Sequence, residues 1–214
     1  MQTRDWRLHL VTDRPLAKNR PLDFIAAQAA KGGATIVQLR EKNCATREFV
    51  ELARALKAAL LPLGAALIIN DRVDVALAAG ADGAHIGQSD MPFADARRLL
   101  GRDAILGLSV DTMEQALNAP PDASYLGVSS IFPTGTKDIS SHVWGLKGLR
   151  ILRAKSRLVL VGIGGINAAN AASVIAEGAD GIAVVSAICA ADNPELAAQG
   201  LRASVDTALA ERKI

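Results

Sequence analysis

The sequence predicts an α/β fold of one domain, a single (β/α)8 TIM barrel over residues 1–214, and three observations predict it. Eight short apolar runs recur along the chain. They end in polar or glycine residues, at Thr12-Asp13, Gln38 to Lys42, Asn70-Asp71, Gln88 to Asp90, Ser109, Ser129-Ser130, Gly164-Gly165 and Ser186. Helical stretches separate the runs, and such alternation implies a parallel sheet with crossover helices. The third observation is an internal echo, in which ALAAGADGAHIGQ resembles VIAEGADGIAVVS. Their Gly-Ala-Asp-Gly elements start at Gly80 and Gly178, an offset near half the chain that suits two four-unit halves. Active sites of these barrels lie at the carboxyl ends of the strands, so polar residues remote in sequence are expected at one mouth.

The first strand is Leu8 to Thr12. A helix over Pro21 to Lys31 follows, with proline near its first turn, where a missing N–H costs least, and Lys31-Gly32-Gly33 closes it. The second strand is Thr35 to Arg40. Thr46 is a cap for the next helix, whose Phe49, Leu52, Ala53 and Leu56 fall at helical spacing. The third strand, Ala65 to Asn70, leads to a short helix from Arg72 to Ala79. The fourth, Gly83 to Gly87, leads to a helix opened by Pro92 and running to Leu100. Ala104 to Ser109 is the fifth strand, and its helix from Thr112 to Asn118 stops at Pro120-Pro121. Ser124 to Ser129 is the sixth. Residues 131 to 145 form the longest irregular stretch, and such a loop in a compact domain is often an active-site lid. A helix from Leu146 to Ala154, a strand from Leu158 to Gly162, a helix after Asn167, a strand from Gly181 to Val185 and a final helix from Pro194 to Glu211 complete the order.

A chain of 214 residues can bury one sizeable core, although these barrels typically run to about 250 residues, so little is left for insertions. Half the residues are hydrophobic and only 3% are aromatic. The net charge of +2 comes without a dense Lys/Arg block, which argues against a nucleic-acid partner. Cys44 and Cys189 match no metal or redox spacing and read as reduced thiols. The N-terminal MQTRDWRLHLVTDR lacks the apolar core of a signal peptide, and no run approaches the ~20 apolar residues that span a bilayer. A cytoplasmic protein with no membrane partner is expected.

Side chains alternate along a strand, so Gln38, Arg40 and Lys42 share one direction. Such residues are costly in a packed core but sensible at a mouth, where Arg offers a planar fork and Lys a point charge to an anion. Asn70-Asp71 and Asp90 end adjacent strands. Their carboxylates suit Mg²⁺, which is held by one or two carboxylates together with substrate phosphates. Each Asp also precedes a helical stretch, so spacing alone leaves an N-cap role open. GIGGI after the seventh strand and VVSAI after the eighth occupy the usual place of a phosphate site in these barrels. There Gly164 and Gly165 let backbone N–H groups approach an anion, and Ser186 adds a hydroxyl. Thr134, Thr136 and Lys137 in PTGTKD form a donor-rich cluster that reads as a second anion site or a solvated loop. Ser109 can donate a further hydrogen bond. His85, inside the fourth strand, reads as a packing residue. His9 and His142 have no partner in the pattern, and Trp144 either covers the mouth or packs on its rim. Asp82 and Asp180 precede their strands and so belong to the bottom of the barrel, with a structural role.

Taken in order, VQLREK, IINDRVDVAL, HIGQSD, LGLS, PTGTK, GIGGI and VVSAI resemble the thiamine-phosphate synthase family, over about residues 8 to 190. The resemblance implies a barrel that joins a hydroxymethylpyrimidine diphosphate to a thiazole phosphate, requires Mg²⁺, and releases thiamine phosphate and pyrophosphate. It implies that Gln38, Leu39, Arg40, Glu41, Lys42, Asn70, Ser109 and Lys137 bind the pyrimidine diphosphate and that Asp71 and Asp90 hold Mg²⁺. Thr134, Gly135, Thr136, Gly164, Gly165, Val185 and Ser186 would hold the thiazole phosphate or lid-side oxygens. Arg40, Lys42, Lys137 and Ser109 are the expected catalytic residues. A homodimer is compatible with such a barrel. The related thiazole tautomerases share the fold, but they carry a His where this chain has Asp111 and lack the acid at Asp90. A non-catalytic phosphate sensor would need only the glycine grip. Arg72, in place of a second Asp, and DISSHVWGLKG depart from the synthase pattern.

Overall fold

The computed structural model describes residues 4–134 and 143–212. Eight parallel strands close into a barrel in sequence order: β1 (Leu8–Val11), β2 (Ile36–Leu39), β3 (Ala66–Asn70), β4 (Gly83–Ile86), β5 (Ile105–Val110), β6 (Tyr125–Ser129), β7 (Leu160–Ile163) and β8 (Gly181–Val184). Closure comes from β1 pairing with β8, where Leu10 stands beside Val184. Around them run α1 (Leu22–Lys31), α2 (Thr46–Leu60), α3 (Val73–Ala79), α4 (Phe93–Leu100), α5 (Met113–Leu117), α6 (Gly145–Lys155), α7 (Ala171–Ala176), the single turn α8 (Ser186–Cys189) and α9 (Pro194–Glu211). No helix among the described residues is long and apolar enough to cross a membrane.

Strands wrapped by helices are buried on both faces, so they read as apolar runs, and alternation sorts them into two cores. Val37 and Leu39 of β2 and Leu67 and Ile69 of β3 pack outward against the helices. Ile36, Ile68, Ile105, Tyr125, Val161 and Ala183 fill the interior. Helix α2 shows how the outer layer forms. Phe49, Ala53, Leu56 and Leu60 are its buried stripe, and the rest faces solvent or is only partly covered.

Three caps differ from the sequence expectation. Thr46 is the first residue of α2, with Ala45 at the cap, and its hydroxyl accepts from Arg72 at 3.2 Å. Pro21 and Pro92 stand at the cap positions of α1 and α4, one residue before the first turn. A residue preceding its helix needs no helical N–H partner, which proline cannot offer in any case. Thr112 does cap α5, in a reciprocal box with Gln115. Asn193 caps α9 through the Leu196 amide at 3.0 Å.

The repeated Gly-Ala-Asp-Gly elements close the bottom of the barrel. Asp82 Oδ2 accepts from the Leu67 amide at 2.8 Å and from Lys57 at 2.6 Å. Asp180 Oδ2 accepts from the Leu160 amide at 2.9 Å and from Arg153 at 3.0 Å. Each aspartate thus ties the start of the preceding strand to a basic residue on a neighbouring helix. Both halves of the chain use the same device, at the end of the barrel away from the mouth.

Candidate active site

Strand ends at the carboxyl side surround a cavity of about 450 Å³. Gln38, Arg40, Lys42, Asn70, Asp71, Asp90, Ser109, Thr134, Gly164, Gly165, Val185 and Ser186 all line it. Leu39 and Glu41 do not. Leu39 is fully buried between sheet and helices, and Glu41 accepts from Arg14 at 3.1 Å. The alternating pleat sends every second side chain outward, so the run from Gln38 to Lys42 supplies three side chains to the cavity. Gly135, Thr136, Lys137 and His142 lie outside the described residues, as does most of the expected lid. Trp144 is a core residue, 5% exposed, and its amide donates to the Ser130 carbonyl at 2.9 Å.

The anionic side of the mouth is built by β3 and β4. Asp71 has a left-handed backbone, with φ of 64°, and around it the Arg72 amide donates to the Asn70 carbonyl at 2.7 Å. This tight turn gives Asp71 a role other than helix capping, since Arg72 holds the cap of α3. Asp90 likewise caps nothing, because Pro92 precedes α4. Its carboxylate turns back to accept from the Gly87 amide at 2.7 Å. Burial raises the Asp90 pKa, the neighbouring Asp71 carboxylate raises it further, and the Gly87 bond offsets part of the rise. Two carboxylates that crowd each other at a mouth are a hard-oxygen donor pair, only partly offset by the nearby Lys42 ammonium. Among the described residues no three His, Cys, Asp or Glu side chains converge as a complete cage. That donor set suits Mg²⁺, which keeps waters and takes phosphate oxygens as its remaining ligands.

The cationic side comes from β2. Lys42 Nζ lies 2.5 Å from Asp71, and an Arg40 nitrogen lies 3.9 Å from Asp13. The Arg40 amide donates to the Thr12 hydroxyl at 3.0 Å, which ties the end of β2 to β1. Across the mouth, Gly164 and Gly165 have φ of 101° and 65°. A side chain at Gly164 would meet Ser130 at 2.7 Å, and one at Gly165 would meet Phe132 at 2.8 Å. Only glycine brings the backbone this close without strain. Ser186 opens the single turn α8, so the loops after β7 and β8 meet a helix start, the arrangement that holds phosphate in many such barrels.

The floor of the cavity was the least legible part. His9, His85 and Tyr125 all line it. His85 Nδ1 is 2.7 Å from the Tyr125 hydroxyl and His85 Nε2 is 2.8 Å from Ser109 Oγ. Burial raises the Tyr125 pKa and lowers that of His9 to about 3, so both stay neutral. Room for these rings comes from Gly107 and Gly127. A side chain at Gly107 would meet Tyr125 at 2.3 Å and His85 at 2.6 Å, and one at Gly127 would meet His85 at 2.9 Å. Register explains the fit, since His85 stands beside Gly107, which stands beside Tyr125. Two small residues on the inward phase of neighbouring strands were the available signal.

The family profile described as thiamine monophosphate synthase matches residues 8–188. A thiamine-phosphate synthase of Leptospira biflexa is 50% identical over 207 residues, covering 94% of this chain and 99% of the relative. One from Albidiferax ferrireducens is 53% identical, covering 94% and 92%. The solved thiamine phosphate pyrophosphorylase of Pyrococcus furiosus superposes with a TM-score of 0.88 at 40% identity, covering 96% of this chain and 98% of that one.

Proposed function

The chain belongs to the thiamine monophosphate synthase family and catalyses the condensation that forms thiamine phosphate, and we propose that the mouth divides that work between its two sides. The substrates are a hydroxymethylpyrimidine diphosphate and a thiazole phosphate. The diphosphate lies over β2 to β4, against Arg40, Lys42, Asn70, Asp71 and Asp90. The thiazole phosphate sits opposite, on Gly164, Gly165, Val185 and Ser186. The observation that carries this reading is the meeting of Asp71, Asp90, Arg40 and Lys42 on one rim. Carboxylates and cations so close together serve a metal-bound diphosphate better than either charge alone.

Asp71 and Asp90 would hold Mg²⁺, which would neutralise charge on the departing diphosphate. The reaction then needs little from the protein beyond charge and alignment. Arg40 and Lys42 stabilise the leaving pyrophosphate, joined by Lys137 from outside the described residues. The bond from the benzylic-type carbon to the diphosphate oxygen breaks first, and the electron pair leaves with pyrophosphate. The pyrimidine amino group delocalises the resulting cation, and the thiazole nitrogen then supplies its lone pair to that carbon. Ser109 helps bind the pyrimidine, and Gln38 holds it in line with the thiazole, so that attack is effectively unimolecular. No covalent nucleophile is required.

Pyrophosphate release measured with each substrate alone and with both, in the presence and absence of Mg²⁺, tests this assignment. Release only with both substrates and the metal supports it. Release from the pyrimidine diphosphate alone at the full rate would reject it.

A further inference from the structure

The hydrogen bonds beneath the mouth have a direction. Tyr125 is 2% exposed, and its hydroxyl has one hydrogen-bond partner among the described residues, His85 Nδ1 at 2.7 Å. A buried phenol carries one proton, and leaving it undonated costs about 1–3 kcal/mol. The proton therefore points at Nδ1, which must then be the bare nitrogen of a neutral imidazole. His85 carries its own proton on Nε2 and donates it to Ser109 Oγ at 2.8 Å. With its oxygen accepting from His85, the Ser109 hydroxyl keeps its proton for an acceptor in the cavity. The opposite tautomer would turn that proton back to Nε2 and leave only lone pairs facing the ligand.

We propose that Tyr125 and His85 are positioning residues that fix Ser109 as a hydrogen-bond donor to a ring nitrogen of the pyrimidine diphosphate substrate. This rests on the placement of the pyrimidine at Ser109 given above. Neither Tyr125 nor His85 needs to touch the reacting carbon. Gly107 and Gly127 belong to the same device, because they make the space in which the two rings lie with centroids 5.4 Å apart. A ring nitrogen is an acceptor both before and during the reaction. The contact is therefore uniform binding, which acts on KM and leaves kcat nearly unchanged.

Two readouts test it. The ¹⁵N shifts of His85 in histidine-labelled protein report its tautomer directly. The Nε2-protonated form is expected, and it is lost in Tyr125→Phe. The Nδ1-protonated form in the parent protein would overturn the relay, whatever the enzyme makes. The second readout is kinetic. Tyr125→Phe is expected to raise KM for the pyrimidine diphosphate about tenfold, the equivalent of one lost hydrogen bond, with KM for the thiazole phosphate unchanged. Ser109→Ala with Tyr125→Phe should be no worse than Ser109→Ala alone, because the tyrosine acts through the serine. Additive losses, or equal rises in both KM values, would overturn the proposal. A protein with the expected tautomer that binds no pyrimidine diphosphate would leave the relay's polarity standing, and would refute both its assigned ligand and the substrate placement.

Discussion

Lys42 Nζ lies 2.5 Å from an Asp71 carboxylate oxygen, so the cation that ends β2 neutralises one of the two acids expected to hold the metal. Both side chains are partly exposed, and such pairs contribute little to stability. The consequence is for binding, because on the proposed assignment a divalent cation at Asp71 displaces Lys42 and frees it to meet the diphosphate. Lys42→Met should therefore bind Mn²⁺ alone several-fold more tightly than the parent, and turn over more slowly, since one phosphate contact is gone. Titration of Mn²⁺ by its paramagnetic signal, beside steady-state rates, checks both halves.

Gly164→Ala forces a side chain onto Ser130 at a φ of 101°. The backbone must withdraw from the proposed anion site, so KM for the thiazole phosphate is expected to rise at least tenfold, with the pyrimidine diphosphate KM little changed. Product-release assays with each substrate varied in turn measure this. Equal effects on the two would place the phosphate elsewhere.

Gly107→Ala and Gly200→Ala make a contrast. The first drives a methyl group into Tyr125 and His85, and overpacking of this kind costs about 1–3 kcal/mol. The second lies in α9 with nothing within 4 Å, where alanine stabilises a helix by about 0.5–1 kcal/mol. Urea denaturation should move the two variants in opposite directions.

His9 gives the fold a defined pH dependence. Burial is the main cause of its lowered pKa of about 3, against 6.5 for a free imidazole, so between these values the unfolded chain binds a proton that the folded chain refuses. Stability therefore falls as pH drops through that window. In His9→Leu the loss of the bond to the Trp6 backbone shifts stability equally at every pH, while the slope between pH 6.5 and 3 becomes shallower. Denaturation midpoints at several pH values read the slope; identical slopes would contradict a buried neutral His9.

How much of this was legible in the sequence follows from which interactions are local. The start of α9 was readable, because Pro194 marks it by its ring, while the Asn193 cap emerges only from the structure. Asp82 and Asp180 were assigned to the bottom of the barrel because each comes before a strand. Period-two alternation selected Gln38, Arg40 and Lys42, and Leu39 and Glu41 entered only with the whole resembling run. Asp71 stood between two roles until its left-handed backbone took it out of helix capping. The relation of Tyr125 to His85 was not readable, since it depends on register across β4, β5 and β6 and on glycines that matter by what they lack. Thr46 failed as a cap for a similar reason: its hydroxyl accepts from Arg72, a residue of the next unit.

On the proposed assignment, Asp71 and Asp90 together bind the divalent cation that accompanies the diphosphate. Mn²⁺ affinity measured with the pyrimidine diphosphate present, in the parent and in Asp71→Asn with Asp90→Asn, tests it most directly. The double variant is expected to lose at least a hundredfold in metal affinity and nearly all turnover, while still binding the thiazole phosphate as the parent does. Unchanged Mn²⁺ affinity in a folded double variant would contradict it.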